Sequence, residues 1–106
     1  MTDSIIKKFD MTGKTAIVTG AAGLLGRQFS LALAQAGANV VLADLSGDLA
    51  AESADELKEM GFRTNSVEVD VTDPDSTKAM VGQALVAYGS VDVLVNSAAL
   101  DPKFDS

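Results

Sequence analysis

With 106 residues, 47% of them hydrophobic and 22% charged, the chain has the make-up of one globular domain or part of one. That length buries roughly 65% of the unfolded surface, enough for a core without much margin. A formal net charge of −7 argues against a phosphate-backbone partner and an anionic membrane surface, and the lack of Cys and His excludes disulfides, thiolate or imidazole metal sites and a Ser-His-Asp triad.

Residues 1–13 form a polar lead-in with no apolar stretch of signal-peptide length, and no run elsewhere approaches the roughly 20 residues that span a bilayer. A cytoplasmic location is expected, with neither membrane nor nucleic acid as a partner. The apolar run in Thr15–Thr19 predicts a buried strand. Gly20, Gly23 and Gly26 punctuate a turn, and an Ala-rich helix runs from Leu24 to about Ala36, closed by Gly37. Leu25, Phe29, Ala32, Leu33 and Ala36 are expected to form its inner face. A second, nearly all-apolar strand spans Asn39–Asp44, as expected of a strand covered on both faces.

Ser46 caps a second helix, with Leu49, Ser53, Leu57 and Met60 at helical spacing and Gly61 closing it. A third strand, Arg63–Asp70, alternates as an edge strand does. Asp73-Pro74 starts a third helix, with Thr77, Met80, Val81, Ala84, Leu85 and Tyr88 facing inward. Val91–Val95 is the fourth strand. This βαβαβαβ alternation predicts an α/β fold. Its parallel sheet, of order 3-2-1-4, is the first half of a doubly wound, Rossmann-like sheet plus one strand beyond the switch point.

The strand, glycine turn and helix opening form an anion cradle. Unpaired N–H groups and the partial positive charge of a helix's first turn receive phosphate without any Lys or Arg. Gly20 permits the tight turn, Gly23 lets the backbone approach a diphosphate, and Gly26 lets helix and strand pack closely. Asp44 ends the second strand roughly 20 residues on, where a carboxylate accepts from adenosine ribose hydroxyls. The plainer alternative for Asp44 is a solvated strand end. A 2′-phosphate beside it would meet like charge, with no Arg or Lys at Ala21, Ala22, Leu45 or Ser46, so NAD is expected over NADP. Arg27 reads as an exposed helix residue. Asp70-Val71 and Asn96-Ser97-Ala98-Ala99 fall at the carboxyl edge of the sheet, where open α/β folds bind ligands. As alternatives, Asp70 caps the next turn and Asn96 binds backbone at a strand end.

Thr19-Gly20…Gly23…Gly26, Asp44, Asp70-Val71 and Asn96-Ser97-Ala98-Ala99 together resemble the N-terminal half of a short-chain dehydrogenase/reductase. The resemblance implies that Asp70 meets the adenine amino group, Val71 its ring, Asn96 steadies the central strand and Ala98 lines the ribose site. The implied cofactor-binding set is Gly20, Gly23, Leu24, Leu25, Gly26, Asp44, Leu45, Asp70, Val71, Asn96, Ser97 and Ala98. Leu24 stands where most members carry Gly, as in the extended, sugar-nucleotide branch, and Asn-Ser-Ala-Ala replaces the usual Asn-Asn-Ala-Gly. With the Asp101-Pro102-Lys103-Phe104 tail, this is similar to members acting on sugars.

The family's chemistry uses a Ser, a Tyr and a Lys four residues after the Tyr, whereas Tyr88, the only tyrosine, has Asp92 four residues on. Tyr88 is expected in the core, so residues 1–106 read as the cofactor-binding portion, with no catalytic residue and no turnover alone. The expected function is hydride transfer between nicotinamide and a carbonyl or secondary alcohol of a small molecule, with any homo-oligomer formed through other segments. A non-catalytic dinucleotide-binding or interaction module is the alternative.

Overall fold

The computed structural model describes residues 10–97, in which strands and helices alternate. In chain order they are β1 (Thr15–Thr19), α1 (Leu24–Gln35), β2 (Asn39–Asp44), α2 (Gly47–Glu59), β3 (Thr64–Glu68), α3 (Pro74–Tyr88) and β4 (Val93–Asn96). The strands form one parallel sheet of order β3-β2-β1-β4, as expected. Ile17 pairs with Val41 and with Leu94, and Val41 with Asn65, which sets the register across all four strands.

Alternate residues of β1 and β2 feed two cores. Val18, Val40 and Leu42 pack on one face with Ala34 of α1 and Ala54 and Leu57 of α2. Ile17, Val41 and Ala43 pack on the other with Val67 and with Met80 and Ala84 of α3. The result is three layers, α1 and α2 on one side of the sheet and α3 on the other. Burying side chains such as Ile17, Leu42 and Met80, all fully buried, stabilises by about 1.5–3 kcal/mol each.

Helix ends follow their local chemistry. The Ser46 hydroxyl accepts from Leu49 N–H at 3.2 Å, and the Asp73 carboxylate accepts from Asp75 N–H with Pro74 in the first turn. Among the described residues no helix is long and apolar enough to cross a membrane.

Several expectations are corrected. The buried stripe of α1 is Gly26, Ser30 and Ala34, whereas Phe29 is 36% exposed and Ala32 is exposed. Close approach to the sheet selects the smallest side chains for the fully buried stripe, while Leu33, as expected, and Leu31 pack against the same core half-buried from its flanks. Leu49, Met60 and Leu85 are likewise exposed, with Ala50, Ala54 and Ala84 against the sheet. β3 stops at Glu68 because Asp70 turns away: its N–H donates to Ser76 Oγ at 2.9 Å and its carboxylate closes on Thr72. β4 begins at Val93, two residues later than expected, and forms the sheet edge with Leu94 56% exposed.

Asp92 clasps the starts of β1 and β4. Its Oδ2 accepts from Thr15 N–H at 2.9 Å and from the Ser90 hydroxyl at 3.0 Å, while its own N–H donates to Thr15 O at 2.8 Å. The Thr15 amide first, then Ser90, hold this carboxyl below its ordinary value of 3.8. A carboxylate with a lowered folded-state pKa contributes stability that is complete above the unfolded value and is lost as pH falls through the folded one. Denaturant melts from about pH 6 down to about pH 2 should therefore show Asp92→Asn flattening part of the acid limb below the ordinary Asp value. An unchanged limb removes the clasp.

Candidate dinucleotide site

The carboxyl ends of β1, β2 and β3 meet at one edge of the sheet. Gly20 leaves β1 with φ +67°, a left-handed conformation that bends the chain sharply towards α1. Ala21 N–H donates to Ala43 O at 3.0 Å and Gly23 N–H to Gly20 O at 3.1 Å, so the turn is fastened to β2 and closed on itself. Gly26, in the first turn of α1, lies directly over it: a Cβ there would stand 2.1 Å from Gly20 O and 2.7 Å from Ala21 Cα.

The start of α1 differs from the other two helix starts. α2 and α3 have side-chain caps from Ser46 and Asp73 and acidic first-turn residues, Asp48 and Asp75. α1 has Gly23 as N-cap, with no side-chain cap bond and no acidic residue in its first turn. Its first internal bond runs from Arg27 N–H to Gly23 O, and the N–H groups of Leu24, Leu25 and Gly26 donate to no acceptor among the described residues. Three unpaired amides and the positive end of the helix dipole remain for an external anion. Leu24, at the helix start, is 74% exposed, so its side chain leaves the mouth open, and Leu25 is half-buried.

Beside this mouth, Gly20, Asp44, Leu45, Val69, Asp70, Val71 and Thr72 line a cavity of about 120 Å³. Asp44 Oδ2 accepts from Ala22 N–H at 3.0 Å and Oδ1 from Ser46 N–H at 3.0 Å. A carboxylate offers about four lone-pair positions, so two remain for a ligand's hydroxyls. Asp70 Oδ1 accepts from both the amide and the hydroxyl of Thr72, at 3.0 and 2.6 Å. The hydroxyl first, then the amide, hold this carboxyl below its ordinary value, so it stays ionised. Among the described residues no cation lines the cavity, and Arg27, in the first turns of α1, is paired with Glu56 at 3.1 Å across an exposed surface.

Gly20, Asp44, Leu45, Asp70 and Val71, singled out from the sequence, are thus brought to one cavity, with Gly23, Leu24, Leu25 and Gly26 at the adjoining helix mouth. Asn96 faces β1, where Thr19 Oγ1 donates to its Oδ1 at 2.8 Å. Ser97 is 1% exposed, and its hydroxyl and amide both donate to Thr19 O, so it braces the turn from behind. Ala98 lies outside the described residues. Val69 and Thr72 were not singled out; the Asp-x-Thr spacing at 70–72 was the available sign of a side-chain-closed turn. Tyr88 ends α3 at the opposite, amino edge of the sheet, half-buried with the Arg63 guanidinium 5.8 Å from its ring centre; burial raises its phenol and Arg63 opposes this.

Two larger apolar grooves, about 440 Å³ between α1 and α2 and about 420 Å³ between α1 and β4, lack this convergence of amides and carboxylates.

The sequence model of the short chain dehydrogenase family matches residues 14–106. The chain belongs to the short-chain dehydrogenase/reductase family. It is 42% identical over 97 residues to the short chain dehydrogenase/reductase astE of Aspergillus oryzae, covering 91% of this chain and 37% of that protein. Among solved structures, a hydroxysteroid dehydrogenase from Escherichia coli superposes with a TM-score of 0.80 at 34% identity, over 83% of this chain and 37% of that one. A putative D-mannonate oxidoreductase from Haemophilus influenza, solved with bound NAD, gives 0.78 at 28% identity, over 85% and 32% respectively. The chain spans about a third of the length of these proteins, 37%, 37% and 32% respectively. The family consists of oxidoreductases that bind nicotinamide dinucleotides, and the glycine turn, helix mouth and adjoining carboxylate cavity suit such a group in shape and charge.

Proposed function

We propose that this chain is the cofactor-holding part of an NAD-dependent oxidoreductase that moves a hydride between nicotinamide and a carbonyl or secondary alcohol. The observation that carries the reading is Asp44, held at the end of β2 by two amides, with free acceptor capacity beside a cavity that no cation lines among the described residues. The amides of Leu24, Leu25 and Gly26 would hold the diphosphate, and Asp44 the adenosine ribose. Asp70 and Val71 would flank the adenine, and Asn96 and Ser97 would keep β1 and β4 in register beneath it. NAD, when bound, would accept the hydride, or donate it in reduced form; the chain's own residues would orient it and discriminate against a 2′-phosphate.

A 2′-phosphate would displace hydrogen bonds to a charged acceptor, each contributing about 1.5–3 kcal/mol, and would add repulsion from Asp44 and Asp70. Calorimetric titration of the full protein should therefore show NAD bound at least about tenfold more tightly than NADP. Equal affinities would remove Asp44 from the ribose. The substrate is proposed to be a small hydroxyl- or carbonyl-bearing molecule. A sugar is in keeping with the Gly20…Gly23…Gly26 spacing and with the likeness to a protein named for D-mannonate. A cytoplasmic location belongs to the same proposal.

A further inference from the structure

The sequence casts Asp44 as a ligand for a sugar, yet the structure gives its carboxylate two bonds within the protein. Oδ2 takes the Ala22 amide, from the middle of the glycine turn, and Oδ1 takes the Ser46 amide, at the N-cap of α2. Ala22 lies between Ala21, fully buried and bonded to Ala43 O, and Gly23, which caps α1. Without Asp44, the Ala22 amide has no other acceptor among the described residues, and the segment between Ala21 and the first helical amides loses its only side-chain tether from β2.

We infer that Asp44 is a positioning residue for the diphosphate turn, over and above any contact with ribose: by holding Ala22 N–H it aims the Leu24 and Leu25 amides at the phosphates. The inference rests on the dinucleotide reading above and deepens it. The two halves of the cofactor site are then joined through one carboxylate, and changing Asp44 to alter ribose recognition loosens the phosphate grip as well. Electrostatics alone requires the opposite, since removing a negative charge beside a bound anion should tighten the anion's binding.

The test uses the full protein with Asp44→Ala and Asp44→Asn, and a probe with no ribose hydroxyls for Asp44 to contact, 2′,3′-dideoxyadenosine 5′-diphosphate. Asp44→Ala should weaken the probe by about tenfold, the scale of one hydrogen bond to a charged acceptor. Asp44→Asn, which keeps one carbonyl acceptor, should fall between. In the ligand-free protein, amide exchange at Ala22 should be faster in Asp44→Ala, while amides of Ile17 and Val18 in the core strand keep their protection. Unchanged or tighter binding of the probe, or unchanged exchange at Ala22, would overturn the inference while leaving NAD binding by the natural protein intact. Failure of the natural protein to bind NAD would instead remove the functional reading, and the inference with it.

Discussion

Gly26→Ala should destabilise the protein and abolish dinucleotide binding, although alanine is the best helix former. In an unencumbered helix the exchange gains up to about 1 kcal/mol. Here the new Cβ would stand 2.1 Å from Gly20 O and 2.8 Å from Gly20 C, and these neighbours are main chain, so no side chain can rotate aside. Relief requires α1 to lift off the turn, and overpacking of this kind costs about 1–3 kcal/mol or more. The movement would also carry the amides of Leu24 and Leu25 away from the phosphates. Gly82→Ala is the matched control: it lies within α3 and a Cβ there meets nothing within 4 Å, so it should raise stability by about 0.5–1 kcal/mol. Denaturation midpoints for both variants, with NAD titrations, check this. A Gly26→Ala protein as stable as Gly82→Ala would show that α1 does not rest on the turn.

Asp44→Arg should reverse the cofactor preference, moving the NAD-to-NADP affinity ratio by about a hundredfold. Loss of the carboxylate removes the hydroxyl acceptor, and a guanidinium gives a 2′-phosphate a bidentate partner. Because the same substitution frees Ala22 N–H, most of the swing should come from weaker NAD and only a little from stronger NADP. Titrating both cofactors against the natural protein and the variant separates the two contributions. A ratio that does not move would place the ribose elsewhere.

Much of the fold was legible because its signals are local. The apolar runs of β1 and β2, the Ser46 cap and the Asp73-Pro74 start each fix backbone conformation through neighbouring atoms, and the element order then leaves few sheet topologies open. The glycine turn was legible for the same reason: Gly20 needs φ +67°, and no Asp or Glu occupies the first turn of α1. The inner face of α1 was not. Sequence reading ranks faces by apolar content and so favoured Phe29 and Ala32, whereas the helix fully buries only Gly26, Ser30 and Ala34 against the sheet, with Leu31 and Leu33 flanking them.

By itself, then, the sequence determined the alternation of elements, the 3-2-1-4 parallel sheet and the membership of an oxidoreductase family. Tertiary structure alone decided that Asp44 ties Ala22 to Ser46 and that Ser97 turns its hydroxyl inward to Thr19. For Gly26, read from the sequence as the close-packing glycine, the structure supplies the neighbour: the main chain of Gly20, 2.1 Å from where a Cβ would stand. Two of these bonds, Asp44 to Ala22 and Ser97 to Thr19, join segments 22 and 78 residues apart in the chain. Residue type and spacing carry periodicity and propensity, but close approach between segments is defined only once the sheet has brought them together.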